Sequence, residues 1–186
     1  TAAQFHEKLS QGVCLLDGAT GSNLQKMGMP RGCCTEEWIL ANPQSLVTLQ
    51  RQYVDAGSQI LYAPTFQAQP IALEKVGLEK QTEAINAQLV ALTRSVSEKV
   101  LVAGNLTTLA TFTESWDEGN FDLLVENYRR QIRGLVDGGA DLLAAETLMY
   151  PLEAEAIFTA AELENAGATM FSFTMQSDGA LFSGRD

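Results

Sequence analysis

The sequence predicts an α/β fold built on a parallel sheet, and three observations carry that prediction. Apolar runs without polar alternation recur along the chain, amphipathic helical patterns separate them, and an acid-glycine or asparagine-glycine junction joins a helix to the next run at three places. The runs are Val13 to Leu16, Gln59 to Ala63, Lys99 to Ala103, Asp141 to Ala145 and Thr169 to Thr174, which read as five strands. Alternation of strand and helix implies right-handed crossovers, in a sheet either open and doubly wound or closed as a barrel.

The elements follow in order. A polar, helix-like lead-in, Thr1 to Ser10, precedes the first run. That run ends in Asp17-Gly18-Ala19-Thr20-Gly21, and a helix opens from Ser22. Uninterrupted aliphatic residues suit a strand covered on both faces, so Asp17 falls at its carboxyl end, where α/β folds place ligands. Gly18 and Gly21 permit a tight turn, and the amides ahead of the helix favour a carboxylate or phosphate. Asp17 can alternatively be the cap of that helix.

Leu46, Leu49, Gln50, Tyr53 and Val54 form one helical face; Ile85, Leu89, Leu92 and Val96 form a second within Thr82 to Ser97. Phe121, Leu124, Val125, Tyr128, Ile132, Leu135 and Val136 form a third, and Leu152 to Leu163 is rich in alanine and glutamate. Gly57, Gly139 and Gly167 are expected to end helices in the left-handed conformation.

Composition bounds the function classes. With 186 residues and 46% hydrophobic content the chain has enough apolar material for one domain, taken as residues 1–186. No run approaches the ~18 apolar residues of a membrane span, and the lead-in lacks the blocks of a signal peptide. A net charge of −11 argues against nucleic acid and anionic membranes as partners. Three cysteines, two of them adjacent, do not suggest a disulfide framework, so the expected compartment is the cytoplasm.

Polar residues gather at the strand ends: Asp17, Thr65, Asn105, Glu146 with Thr147, and Ser172 with Thr174. Acids at the first and fourth ends suit a cation, an amine or a proton in transit. Thr65 and Asn105 have the alternative of satisfying loop backbone, and Glu146 that of capping the helix near Pro151. For Glu146 the functional reading is preferred, because an acid within Leu142 to Leu148 enters an apolar layer where an uncompensated charge is costly.

Four segments in order, Leu16-Asp17-Gly18-Ala19-Thr20-Gly21, Asp55 to Leu61 with Thr65-Phe66-Gln67-Ala68, Val102 to Leu106, and Ala140 to Thr147, resemble the homocysteine S-methyltransferase domain. That domain occurs in cobalamin-dependent methionine synthase and betaine-homocysteine methyltransferase. The resemblance implies a (β/α)8 TIM barrel that uses zinc to lower the pKa of the homocysteine thiol and transfers a methyl group to it, giving methionine. By position, Asp17 and Glu146 match the acids that hold the ammonium group, the turn from Gly18 to Gly21 matches backbone near the carboxylate, and Thr65 and Phe66 match the segment lining the pocket. Gln67 stands where the betaine-using branch has an aromatic residue.

The same resemblance places the zinc ligands on a cysteine at the sixth strand end and a cysteine pair after the eighth, beyond Asp186. Cys33-Cys34 follows the first strand instead, and with Cys14 and His6 is read as structural rather than metal-binding. The sequence is expected to hold about the first five βα units, and its ending, Gly179 to Gly184, to be a strand-to-helix loop of a longer barrel. Either a missing C-terminal half or a second copy would then cover the open edge. The methyl donor, whether cobalamin, folate, betaine or a sulfonium, is left open. The alternative to an enzyme is a non-catalytic, shortened barrel acting as a binding or assembly module.

Overall fold

The computed structural model describes residues 2–110 and 118–182. Helices α1 (Ala2–Ser10), α2 (Gly21–Lys26), α3 (Thr35–Ala41) and α4 (Pro43–Asp55) precede strand β1 (Ile60–Ala63). A short α5 (Pro70–Leu73) and α6 (Thr82–Arg94) lead to β2 (Leu101–Thr107); α7 (Phe121–Asp137), β3 (Leu142–Leu148), α8 (Pro151–Leu163) and β4 (Ala168–Phe173) follow. Four strands form one sheet in the order β1-β2-β3-β4, and each neighbouring pair is parallel.

Winding in sequential order separates the two architectures left open by the pattern. Val90 of α6, Tyr128, Ile132 and Leu135 of α7, and Ile157 and Ala160 of α8 share one core with Val102, Leu106, Leu143 and Ala145 of the sheet. All three crossover helices therefore cover the same face, as in a barrel, whereas a doubly wound sheet uses both. On the opposite face Ile60, Leu101, Ala103, Leu142 and Ala144 surround Phe5, so α1 fills the bottom of the concave side. Burial of each such aliphatic side chain contributes ~1.5–3 kcal/mol. At Gly104 a Cβ would lie 2.8 Å from Leu135, which is why β2 has no side chain where α7 presses closest.

Five strands are expected from the sequence; among the described residues the sheet has four. Val13 to Leu16 makes one parallel bridge, Leu16 to Ile60, with Gln59 N donating to Leu15 O at 2.8 Å and Asp17 N to Ile60 O at 3.1 Å. Among the described residues nothing pairs with its other edge, and Val13 is 89% exposed, so the expected cover on both faces is not met. An apolar run reports a preference for burial and cannot report which neighbours exist.

Two further expectations change. Gly57 (φ 106°) and Gly139 (φ 85°) do adopt the left-handed region, but after α8 that role falls to Asn165 (φ 51°), and asparagine tolerates it. Gly167 is instead a close-approach position, its missing Cβ lying 3.0 Å from Asp141 O. The expected loop at the end of the chain contains an antiparallel bridge, Met175 to Leu181, closed by Gln176 N to Ala180 O at 2.8 Å. Residues 183 and 184 of that expectation lie outside the described residues.

Candidate functional site

Side chains of a strand alternate between faces, so the concave face that holds Ile60, Leu101 and Leu142 also receives Tyr62, Asn105 and Glu146 further along. These residues line a cavity of about 560 Å³ at the carboxyl ends of the strands, together with Leu16, the turn Asp17 to Gly21, Thr35, Glu36, Phe66 and Gln67. The predicted site residues Asp17, Gly18, Phe66 and Glu146 are thus brought together.

Asp17 is held by the next strand. Its Oδ2 accepts the backbone N–H of Tyr62 at 3.0 Å, so it is not the cap of α2, which follows Thr20 without a side-chain cap. Burial, opposed by that hydrogen bond and reinforced by the charge of Glu146, pushes the Asp17 pKa up to about 7. Burial, reinforced by the same two carboxylates, pushes the Tyr62 phenol up to about 12. Glu146 accepts Nδ2 of Asn105 at 2.8 Å. The Oδ1 of Asn105 is buried at this wall and has no hydrogen-bond partner among the described residues.

The turn after Asp17 is fixed from behind. Tyr53 of α4 donates from its hydroxyl to Ala19 O at 2.8 Å, and Nδ2 of Asn23 donates to the same carbonyl at 2.8 Å. A Cβ on Gly18 would meet the Tyr53 ring at 3.1 Å, so glycine here lets the backbone lie directly on the aromatic.

Thr65 is placed differently from its expected position in the pocket wall. It is fully buried, its hydroxyl donates to Asn105 O at 2.8 Å and accepts from Asn105 N at 3.0 Å, and it is absent from the lining. It fastens the end of β1 to β2, the backbone-satisfying alternative weighed above. Asn105 itself lies within β2, which runs on to Thr107, and Glu146 within β3 rather than after it. Glu146 does not cap α8; Glu153 does, accepting Tyr150 N at 3.2 Å.

Sequence reasoning missed Tyr62 and Glu36. Glu36 stands in the first turn of α3 and is 4% exposed; one oxygen accepts Gln67 N at 3.0 Å and the other the Cys34 thiol at 3.6 Å. Burial raises its pKa. In the sequence nothing separates it from the adjacent, exposed Glu37. Tyr62 reads as core in Ile60-Leu61-Tyr62-Ala63, and its polar end was the available signal.

The loops around the cavity are pinned by a buried carboxylate outside it. Glu153 accepts Leu109 N at 2.7 Å, the Thr108 hydroxyl at 2.8 Å, the Tyr128 hydroxyl at 3.1 Å and Met149 N at 3.1 Å. The loops leaving β2 and β3 are thereby tied to α7 and α8.

A scan against family models aligns residues 14–186 with the homocysteine S-methyltransferase model. The chain belongs to the homocysteine S-methyltransferase family. It is similar to the homocysteine S-methyltransferase of Escherichia coli K12, 28% identical, over 94% of this chain and 62% of that protein. Two crystal structures of the Escherichia coli homocysteine methyltransferase MmuM resemble the fold: a metallated form (25% identity, TM-score 0.85, 96% of this chain and 69% of that one) and an oxidized form (28% identity, TM-score 0.80, 92% and 65%). This homocysteine S-methyltransferase family chain therefore spans about three-fifths of the curated relative's length.

Zinc, which the resemblance implies, does not fit the donors present. Among the described residues no group of three or more His, Cys, Asp or Glu side chains is arranged to hold a metal ion. Cys33 is exposed and points its thiol at Pro30 O, Cys34 is turned to Glu36, and Cys14 packs on the concave core. No described helix is long and apolar enough to cross a membrane.

Proposed function

We propose that this chain supplies the amino-acid-binding part of an enzyme that transfers a methyl group to the thiol of homocysteine, giving methionine. The observation that carries the reading is the wall formed by Asp17, Glu146 and Asn105. Two carboxylates line one cavity, one of them braced by Asn105, and an ammonium group offers three N–H donors with a positive charge. Its arrival would compensate the ionised Asp17 for the burial, and for the nearby Glu146 charge, that raise its pKa.

Around that anchor the remaining parts of an amino acid find partners. The backbone of the Gly18 to Gly21 turn is assigned to the carboxylate, and Phe66 to the apolar middle of the side chain. The thiol would then lie toward the open side of the cavity, where the S–CH3 bond forms as the donor's bond to methyl breaks and the thiol proton leaves. The donor is cobalamin, folate, betaine or a sulfonium, and no residue of this wall selects among them. The family membership and the 28% identical relative support the substrate assignment.

We further place the protein in the cytoplasm, as a single domain over residues 1–186, on the strength of three unpaired cysteines and the alternation of strand and helix from β1 to β4. The exposed edge at Val13 to Leu16 is where a further strand, from this chain or a second copy, would pair. The full-length protein incubated with L-homocysteine and each donor class in turn, with methionine quantified, tests the activity. Methionine formed with one donor is the expected result; none with any donor, despite a folded protein, rejects it.

A further inference from the structure

We propose that Tyr53 is a positioning residue for the carboxylate of the amino-acid substrate: together with Asn23 it draws the Ala19 carbonyl back from the cavity and so turns the Thr20 N–H toward it. The inference rests on the proposed assignment of that carboxylate to the Gly18 to Gly21 backbone.

Three hydrogen bonds close a triangle behind the turn. The Tyr53 hydroxyl donates to Ala19 O at 2.8 Å, and Nδ2 of Asn23 donates one proton to the same oxygen at 2.8 Å and the other to the Tyr53 oxygen at 3.0 Å. Both lone pairs of the Ala19 carbonyl are thereby occupied. In a planar trans peptide the C=O and the following N–H point in opposite directions, so the Thr20 N–H is directed away from Tyr53 and Asn23. Among the described residues no group accepts that proton.

The turn lies between Tyr53 and the cavity. Gly18, Ala19, Thr20 and Gly21 line the cavity and Tyr53 does not; a Cβ on Gly18 would meet the Tyr53 ring at 3.1 Å, so the ring backs the turn. The side of the Ala19-Thr20 peptide turned away from Tyr53 is therefore the cavity side. Its polarity decides what the turn can hold, because the charged side chains of the lining are Asp17, Glu36 and Glu146, with no Lys, Arg or His among the described residues there. A carboxylate entering this cavity depends on neutral donors. Held as it is, the peptide offers an N–H; reversed, it would offer a carbonyl oxygen that repels the same group. Tyr53 and Asn23 hold the first arrangement.

Calorimetric titration of two ligands into the full-length protein, with melting temperatures in parallel, tests this. One is L-homocysteine; the other is its decarboxylated analogue homocysteamine, which keeps the ammonium and thiol groups, so the ratio of the two Kd values reports the carboxylate contacts. Wild type should bind L-homocysteine more tightly. Tyr53→Phe keeps the ring behind Gly18 and removes the hydroxyl, so it should weaken L-homocysteine about fivefold or more and leave homocysteamine within about twofold. Asn23→Ala removes the bonds to the carbonyl and to the Tyr53 oxygen together, and gives the same comparison should Tyr53→Phe fail to fold. A lowered melting temperature with both ligands weakened alike, or with neither weakened, makes Tyr53 purely structural and overturns the inference. If wild type does not prefer L-homocysteine to homocysteamine, the carboxylate assignment falls and the inference with it; if wild type has that preference and Tyr53→Phe keeps it, only the role of Tyr53 falls.

Discussion

Nδ2 of Asn105 lies 2.8 Å from Oε1 of Glu146, a diagonal contact between β2 and β3 on the concave face. Register pairs Asn105 with Ala144 and Thr107 with Glu146, so the two side chains stand two positions apart on one face, within reach of each other. The bond uses one carboxylate oxygen of Glu146 and fixes its plane.

Removing that contact should loosen the carboxylate without deleting it. A hydrogen bond to a charged group is worth ~1.5–3 kcal/mol, part of which water recovers at a half-open wall. Asn105→Ala should therefore weaken homocysteine binding about tenfold. The measurement is a titration of the purified variant, whose melting temperature should also fall because the bond to Glu146 exists in the empty protein, although loss of the unpartnered Oδ1 costs nothing.

Asp17 gives the site a pH dependence whose sign follows from its pKa, which burial raises to about 7, well above the usual carboxylate range. The folded, empty protein binds this proton more tightly than the unfolded chain does. Asp17 thus contributes stability below about pH 4, and that contribution is lost as pH rises toward about 7. Ammonium binding needs the ionised form, so homocysteine affinity should climb between about pH 6 and 7.5. Asp17→Asn should flatten that climb, weaken binding, and raise the melting temperature of the empty protein at about pH 8. Equal pH slopes in wild type and variant would remove Asp17 from the site.

Glu153 should behave as a stability residue. Its carboxylate accepts from Leu109, Thr108, Tyr128, Met149 and Tyr150, and glutamine would turn one acceptor oxygen into a donor facing those donors. Leaving buried donors of such a network unsatisfied costs ~1–3 kcal/mol, and more where the acceptor was charged. Urea unfolding of Glu153→Gln should show a loss of that order, while the ligand affinity of the folded fraction falls less than in the Asn105 variant.

The parts of this site that were legible in the sequence are those where polarity contradicts its surroundings. Asp17 ends an apolar run and Glu146 interrupts one, so each announces a cost that something must offset. Thr65 was legible as polar but not as to direction: β1 stops at Ala63, and beyond a strand's end the alternation no longer says which way a side chain turns. Glu36 carries no such contradiction, since acids suit the first turn of any helix. The parallel sheet and its helices were readable from periodicity, whereas the solitary bridge at Leu16 depends on which neighbours the run has. The bulge at Thr147, where the β3–β4 register shifts between Ala145 and Leu148, was hidden for a related reason: one inserted residue changes which face Leu148 occupies and leaves the composition of the strand untouched.

The central claim is that Asp17 and Glu146 grip an ammonium group, and Glu146→Gln addresses it with least disturbance of shape. The substitution removes a charge-assisted hydrogen bond and a neutral amide is easier to bury, so the fold should survive. Titration of L-homocysteine into the full-length wild type and Glu146→Gln, at one pH and with both melting temperatures recorded, should show binding weakened by ~1.5–3 kcal/mol, about tenfold to a hundredfold, with stability retained. Unchanged affinity with a lowered melting temperature would contradict the account and make Glu146 a structural residue.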